Sequence, residues 1–120
     1  MSDIEAIMRM APVIPVLVVE NVADAVPIAE ALVAGGLPVL EVTLRTAAAL
    51  DVIRAMKTVP GAVVGAGTVL NPSDLDASLG AGAEFIVSPG LTANLAGAVA
   101  KAKVPFLPGT ANASDIMRCV

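Results

Sequence analysis

Apolar residues fall into short blocks along this chain, separated by mixed segments that begin on a capping residue and stop on glycine. The blocks cover residues 13–19, 39–43, 62–66, 85–88 and 104–107. Runs of that length, rich in Val, Ile and Leu, predict strands buried on both faces of a parallel sheet. The segments between them predict helices. Asn21 or Asp24 can cap a helix that ends at Gly35-Gly36, and Pro27 favours the later start, because it then lies in the first turn, where its missing N–H costs little. Thr46 is expected to cap a helix over 47–57, with Leu50, Ile53 and Met56 facing inward. Asn71-Pro72-Ser73-Asp74 joins a cap to a proline at the first helical position, and Gly80 and Gly82 stop that helix. Thr92 caps a further helix to about residue 101, and Asn112 caps a last one. At the start, Ser2-Asp3-Ile4-Glu5 has capping-box spacing for a short helix at about 3–10, with Ile4, Ile7 and Met8 on one face.

The strand centres lie near residues 16, 40, 64, 87 and 106, a βα repeat of roughly 20–24 residues with no hairpin signal. Leu32-Val33-Ala34-Gly35 resembles Leu79-Gly80-Ala81-Gly82, about two units later. No linker or low-complexity stretch interrupts the pattern, so residues 1–120 are expected to form one domain. Two folds fit. A five-stranded flavodoxin-like sheet needs about this length, whereas a (β/α)8 barrel needs about 200 residues or more. Periodicity alone leans slightly to the five-stranded sheet.

Composition narrows the function classes. The chain is 57% hydrophobic with a mean hydropathy of +0.86, carried by Ala, Val, Leu and Ile, with Phe85 and Phe106 as the only aromatics. No apolar run reaches the ~18–20 residues of a membrane span, so the hydropathy signals interior and not bilayer. A net charge of −4 without any Lys/Arg cluster argues against nucleic acid as partner. The absence of His and the single Cys119 exclude an internal disulfide, the usual zinc sites and a Ser-His-Asp arrangement. The first ten residues lack the apolar region of a signal peptide. A cytoplasmic enzyme or binding domain without a metal is the expectation.

In either fold the working face lies at the carboxyl ends of the strands. Those ends read Glu41-Val42-Thr43-Leu44-Arg45-Thr46, Gly65-Ala66-Gly67-Thr68, Ser88-Pro89-Gly90 and Pro108-Gly109-Thr110. Glu41 stands inside an otherwise apolar strand, and alternation puts Glu41, Thr43 and Arg45 on one side if the strand extends that far. A buried carboxylate beside an arginine can be a structural ion pair. That is the commoner case across proteins; the alternative is a proton carrier tuned toward neutrality by desolvation, with Arg45 as a fork for a substrate carboxylate or phosphate. Gly65-Ala66-Gly67-Thr68 fails as a dinucleotide fingerprint, because Leu70 occupies the third glycine position, and it lacks the Lys of a phosphate loop. It reads either as a tight turn or as a place where a ligand approaches the backbone while the Thr68 hydroxyl bonds it. Ser88-Pro89-Gly90 alone reads as a turn.

Taken together, these segments resemble the 2-keto-3-deoxy-6-phosphogluconate (KDPG) and 4-hydroxy-2-oxoglutarate (KHG) aldolase family. The matching text includes Pro15-Val16-Leu17-Val18, Ala31-Leu32-Val33-Ala34-Gly35-Gly36 and Leu40-Glu41-Val42-Thr43-Leu44-Arg45-Thr46. It continues through Val64-Gly65-Ala66-Gly67-Thr68-Val69-Leu70-Asn71-Pro72, Phe85-Ile86-Val87-Ser88-Pro89-Gly90 and Leu107-Pro108-Gly109, over about residues 10–118. The resemblance implies a (β/α)8 barrel, here about its first five units, that assembles as a homotrimer and needs no metal or cofactor. It implies a lysine that forms a Schiff base with a 2-keto acid substrate, so that a C–C bond breaks to pyruvate plus glyceraldehyde 3-phosphate or glyoxylate. It implies Glu41 as general acid/base, Arg45 and Thr68 as ligands of the pyruvate carboxylate, and Pro89 at the pocket border.

The family's Schiff-base lysine lies on strand six, in an Arg-Phe-Lys-Phe-Phe-Pro-like segment that these 120 residues do not contain. Lys57, Lys101 and Lys103 are expected on the opposite face, so the chain alone is expected to be inactive, and its open edges to favour self-association or aggregation. The closing Arg118-Cys119-Val120 also departs from the family, as an early stop or a frameshift would explain. Two other classes compete: a non-catalytic flavodoxin-like binding module, and an enolising isomerase that uses Glu41 and Arg45 without a lysine.

Overall fold

The computed structural model describes residues 3–119. Five parallel strands form one sheet: β1 (Val16–Leu17), β2 (Val39–Thr43), β3 (Val63–Gly67), β4 (Ile86–Ser88) and β5 (Phe106–Pro108). Helices α2 (Ala25–Ala34), α3 (Ala49–Met56), α4 (Pro72–Gly80) and α5 (Ala93–Ala102) connect them, with α1 (Ile4–Met8) before β1 and α6 (Ala113–Cys119) after β5.

Strand order separates the two candidate folds. The sheet runs β1-β2-β3-β4-β5 in sequence order, with every pair parallel. A flavodoxin-like sheet reverses direction at a switch point and carries helices on both faces. Right-handed crossovers between sequential strands instead place all connecting helices on one face. The packing agrees: residues from α2, α3, α4 and α5 join Leu40, Val42, Val64, Ala66 and Ile86 in one buried cluster. The architecture is that of part of a (β/α) barrel, and the other face of the sheet is its inner face.

The inner face carries a smaller cluster. Ile7 of α1 packs with Val39 and Phe85, flanked by Ile14, Val63 and Val87. Phe85 lies just before β4 and is fully buried, because Gly65 of the neighbouring strand has no side chain; a β-carbon there would collide with its ring.

Most caps form as the sequence predicts. The Asn71 side chain accepts from the Asp74 N–H at 2.8 Å, that of Thr92 from Leu95 at 3.2 Å, and that of Asn112 from Asp115 at 2.9 Å. Asn21 caps a 3-10 turn over Val22–Asp24, after which α2 starts with Pro27 in its first turn. Gly36 and Gly82, just past α2 and α4, take φ of +93° and +98°, a conformation that glycine adopts without steric cost.

Five expectations need correction. The first apolar run is not a strand buried on both faces. β1 is two residues long, and Val13, Val16 and Val18 are exposed while Val19 is buried, because among the described residues β1 pairs only with β2 and nothing covers its inner face. Thr46 does not cap α3; its hydroxyl donates to the Val19 carbonyl at 3.1 Å, and α3 starts at Ala49 without a side-chain cap. The inward face of α3 is Ala49, Val52, Ile53 and Met56, with Leu50 only half-buried at its margin. In α1 Asp3 is the cap, accepting from Ala6 at 2.7 Å, and Met8 is exposed. Ser2, the first residue of the expected capping box, lies outside the described residues. Finally, β3, β4 and β5 each begin one or two residues later than the apolar runs.

Candidate active site

The register of the central strands assembles the rim. Glu41 pairs with Gly65 and Thr43 with Gly67 across β2 and β3, and Ala66 pairs with Ile86 across β3 and β4. Neighbours in a parallel register point to the same side, so Val39, Glu41 and Thr43 share the inner face with Val63, Gly65 and Gly67. From β4 the same alternation brings Val87, in line with Phe85 just before it. On this face β2 passes from Val39 to Glu41 and Thr43, so it alone of these three strands carries polar side chains inward.

Among the described residues Glu41 is the one ionisable side chain on the buried part of that face. It is 8% exposed, and its carboxylate lies over Gly67, the last residue of β3. Among the described residues no hydrogen bond or ion pair within 4 Å engages this carboxylate. Desolvation pushes its pKa above the ordinary 4.5, and the positive charge of Arg45 pulls partly in the opposite direction. Thr43, beside it, is spoken for: its hydroxyl donates to the Leu17 carbonyl at 3.1 Å and ties β2 to β1.

Arg45 does not sit on the strand. β2 ends at Thr43, and Arg45 lies exposed in the following turn, near enough to act on Glu41 electrostatically but not paired with it. The alternation argument thus holds for Glu41 and Thr43 and fails for Arg45. Thr68 follows β3 directly and is half-buried with φ +60°. A β-branched residue in the left-handed region is strained, and such strain persists only where the surroundings impose it. Pro89 is exposed in the turn after β4; with Val69, Leu70, Gly90 and Thr92 it lines a cleft of about 150 Å3. The turn is closed by the Ser88 hydroxyl, which donates to the Gly90 carbonyl at 2.7 Å. Arg45, Thr68 and Pro89 therefore follow the carboxyl ends of β2, β3 and β4, and Glu41, the middle residue of β2, sets its carboxylate over the last residue of β3. Gly67, directly beneath the carboxylate, is the neighbour that motif reading overlooked; its register opposite Thr43 and next to Thr68 was the available signal.

The lysines lie elsewhere. Lys57 closes α3 and its Nζ is 3.8 Å from Glu84 Oε1, at the amino end of the sheet, where Glu84 also accepts from the Val64 N–H at 3.2 Å. Lys101 and Lys103 lie in the last turn and at the cap of α5, ahead of β5. Among the described residues no group of three His, Cys, Asp or Glu side chains is placed to hold a metal ion, and no helix is long and apolar enough to cross a membrane.

An inward carboxylate beside an arginine at the carboxyl ends of sequentially ordered strands is the arrangement that the motif resemblance implies. The sequence profile described as KDPG and KHG aldolase matches residues 4–120. The chain belongs to the KDPG and KHG aldolase family. A 2-dehydro-3-deoxy-phosphogluconate aldolase from Zymomonas mobilis is 65% identical over 117 residues, which cover 98% of this chain and 56% of that relative. The KHG/KDPG aldolase of Escherichia coli K12 is 54% identical over 117 residues, covering 97% of this chain and 55% of the relative. The crystal structure of Zymomonas mobilis ZM4 2-keto-3-deoxy-6-phosphogluconate aldolase with 3-phosphoglycerate superposes with a TM-score of 0.94 at 65% identity, over 97% of this chain and 56% of that one. The KDPG aldolase of Legionella pneumophila, solved with pyruvate captured at low pH as a covalent carbinolamine intermediate, gives a TM-score of 0.91 at 44% identity over 97% and 57% of the two chains. The chain thus spans about half the length of the aldolases it matches.

The raised pKa of Glu41 has a consequence for stability. A carboxyl whose folded pKa exceeds its unfolded value makes the folded state prefer the proton. The ionised form is then a cost to folding that is complete above the raised pKa and disappears as pH falls toward 4.5. Glu41→Gln is expected to raise the urea midpoint at about pH 8 and to lose that advantage by about pH 4. A Gln variant that gains nothing at the higher pH would show that the carboxylate is already compensated.

Proposed function

We propose that this chain supplies the acid/base and carboxylate-binding half of a Schiff-base aldolase that releases pyruvate from KDPG or from KHG. The observation that carries this reading is a desolvated, unpaired carboxylate on the inner rim, next to an arginine and a strained threonine. Arg45 and the Thr68 hydroxyl hold the pyruvate carboxylate, and Pro89 borders the pocket. Glu41 moves protons: it gives one to the carbinolamine hydroxyl as that group leaves as water, and takes one from the hydroxyl whose carbon becomes the aldehyde. Desolvation suits both tasks, because a carboxyl with a raised pKa can hold its proton and also accept one. The covalent carbinolamine captured in the Legionella relative supports the first of these steps.

The amine that condenses with the ketone is none of Lys57, Lys101 and Lys103, which all lie at the amino ends of the strands. In our reading it stands on a strand beyond β5, as do the groups that would bind a phosphate, and the complete enzyme is a cytoplasmic homotrimer of the Entner-Doudoroff pathway. Borohydride reduction in the presence of pyruvate tests this. The 120 residues alone are expected to gain no stoichiometric adduct. A fusion that continues them with the portion of the Zymomonas aldolase beyond the match is expected to be trapped at one lysine of the added portion and to cleave KDPG. A stoichiometric adduct on Lys57, Lys101 or Lys103 would overturn the assignment.

A further inference from the structure

Gly67 has none of the usual reasons to be glycine. It is absent from the positive-φ residues, where Gly36, Gly61 and Gly82 stand. It closes a regular strand, paired with Thr43, and its carbonyl accepts the Leu44 N–H at 2.9 Å. A glycine inside a strand ordinarily weakens it, through lost entropy and lost side-chain packing. What it provides here is space: a β-carbon at position 67 would fall on Glu41 Oε2 and come within 2.7 Å of Cδ and 2.9 Å of Cγ. A clash with the carboxylate tip alone could be relieved by swinging the tip aside. Contact that reaches Cγ requires the side chain to leave its rotamer.

The other ways for Glu41 to settle are restricted. Toward the amino ends of the strands, the space over Gly65 is filled by the buried Phe85 ring. β3 thus presents two inward vacancies, one taken by an aromatic ring from the β4 side and one by a carboxylate from β2.

We propose that Gly67 is a positioning residue, the seat that holds the Glu41 carboxylate over the end of β3 and so fixes where the proton carrier stands at the rim. The inference rests on the reading of Glu41 as that carrier, but the seat itself can be measured without turnover. Any side chain at 67 drives the carboxylate outward, toward water and Arg45, and both of these lower its pKa.

The experiment is a carboxyl carbon-13 NMR titration of the 120-residue chain and of Gly67→Ala, with the Glu41 resonance identified by its loss in Glu41→Ala. The Glu41 midpoint is expected to fall toward the ordinary value in Gly67→Ala, and an unchanged midpoint would overturn the proposal. Thermal unfolding of the four-member cycle gives a second readout. Gly67→Ala is expected to lower Tm by roughly 5–15 °C when Glu41 is present and by far less in the Glu41→Ala background. Equal losses in both backgrounds would overturn it. If Gly67→Ala alone does not fold, a double variant that folds supports the seat, and a double variant that fails where Glu41→Ala folds refutes it. A confirmed seat combined with a fusion enzyme indifferent to Glu41→Gln would refute the catalytic reading and leave the seat standing.

Discussion

Glu41→Gln in the fused enzyme is expected to lower kcat for KDPG cleavage by about 10²–10⁴-fold, the range typical of a positioned proton carrier. The amide keeps the size of the side chain and can still rest over Gly67, but it can neither give up nor take a proton. The loss should therefore fall on kcat, with KM changed little, because Arg45 and Thr68, the proposed ligands of the substrate carboxylate, are untouched. The pH profile adds a check. Where the carboxylate acts as the base, kcat falls as pH drops through its raised pKa, and this acid limb disappears in the Gln variant. A coupled assay of pyruvate release across pH measures both effects. A decrease of less than about tenfold, with the acid limb intact, would mean that the buried carboxylate serves packing and not proton transfer.

Phe85→Ala is expected to cost about 3–5 kcal/mol of folding stability, measured by urea unfolding of the 120-residue chain. The ring is the largest fully buried side chain. It fills the hollow above Gly65 and meets Ile7 and Val39, so it joins α1, β2 and β4 on the inner face. That cluster is small, and no neighbour of comparable size stands ready to collapse into the space left behind. Small domains are stable by only about 5–15 kcal/mol in all, so the variant is expected to lose a large share of the transition's midpoint or to populate the unfolded state without denaturant. A cost under about 1.5 kcal/mol would show that the inner face around Phe85 is loosely packed.

These two residues differ in how far the chain itself disclosed them. Glu41 is conspicuous as a charge in an apolar strand, and the face it shares with Thr43 follows from the alternation of side chains. Phe85 reads as a strand residue, yet nothing in its neighbours says that it occupies a gap left by Gly65, twenty positions earlier. The relation depends on strand register, which is set by the packing of the whole sheet and not by local preference. Thr46 illustrates the same limit on a smaller scale. As a residue before a helix it looked like a cap, but the Val19 carbonyl at the end of β1 came within reach and took its hydroxyl instead.

The first strand shows how burial escapes a reading of composition. An apolar run of Val, Ile and Leu around Pro15 promises two covered faces, and the structure leaves Val16 and Val18 half exposed. Hydropathy reports what a side chain prefers; whether anything lies opposite is decided by which elements the chain brings there.

The order and type of the elements, the caps at Asn71, Thr92 and Asn112, and the set of residues at the carboxyl ends of the strands were determined by sequence alone, because each depends on local periodicity and short-range hydrogen bonding. Only the tertiary structure decided that the strands lie in sequential order with every connecting helix on one side. That choice makes the Glu41 face the inside of a barrel and not the second covered face of a flat sheet. It rests on the sum of many weak apolar contacts between distant residues, and no single residue announces it.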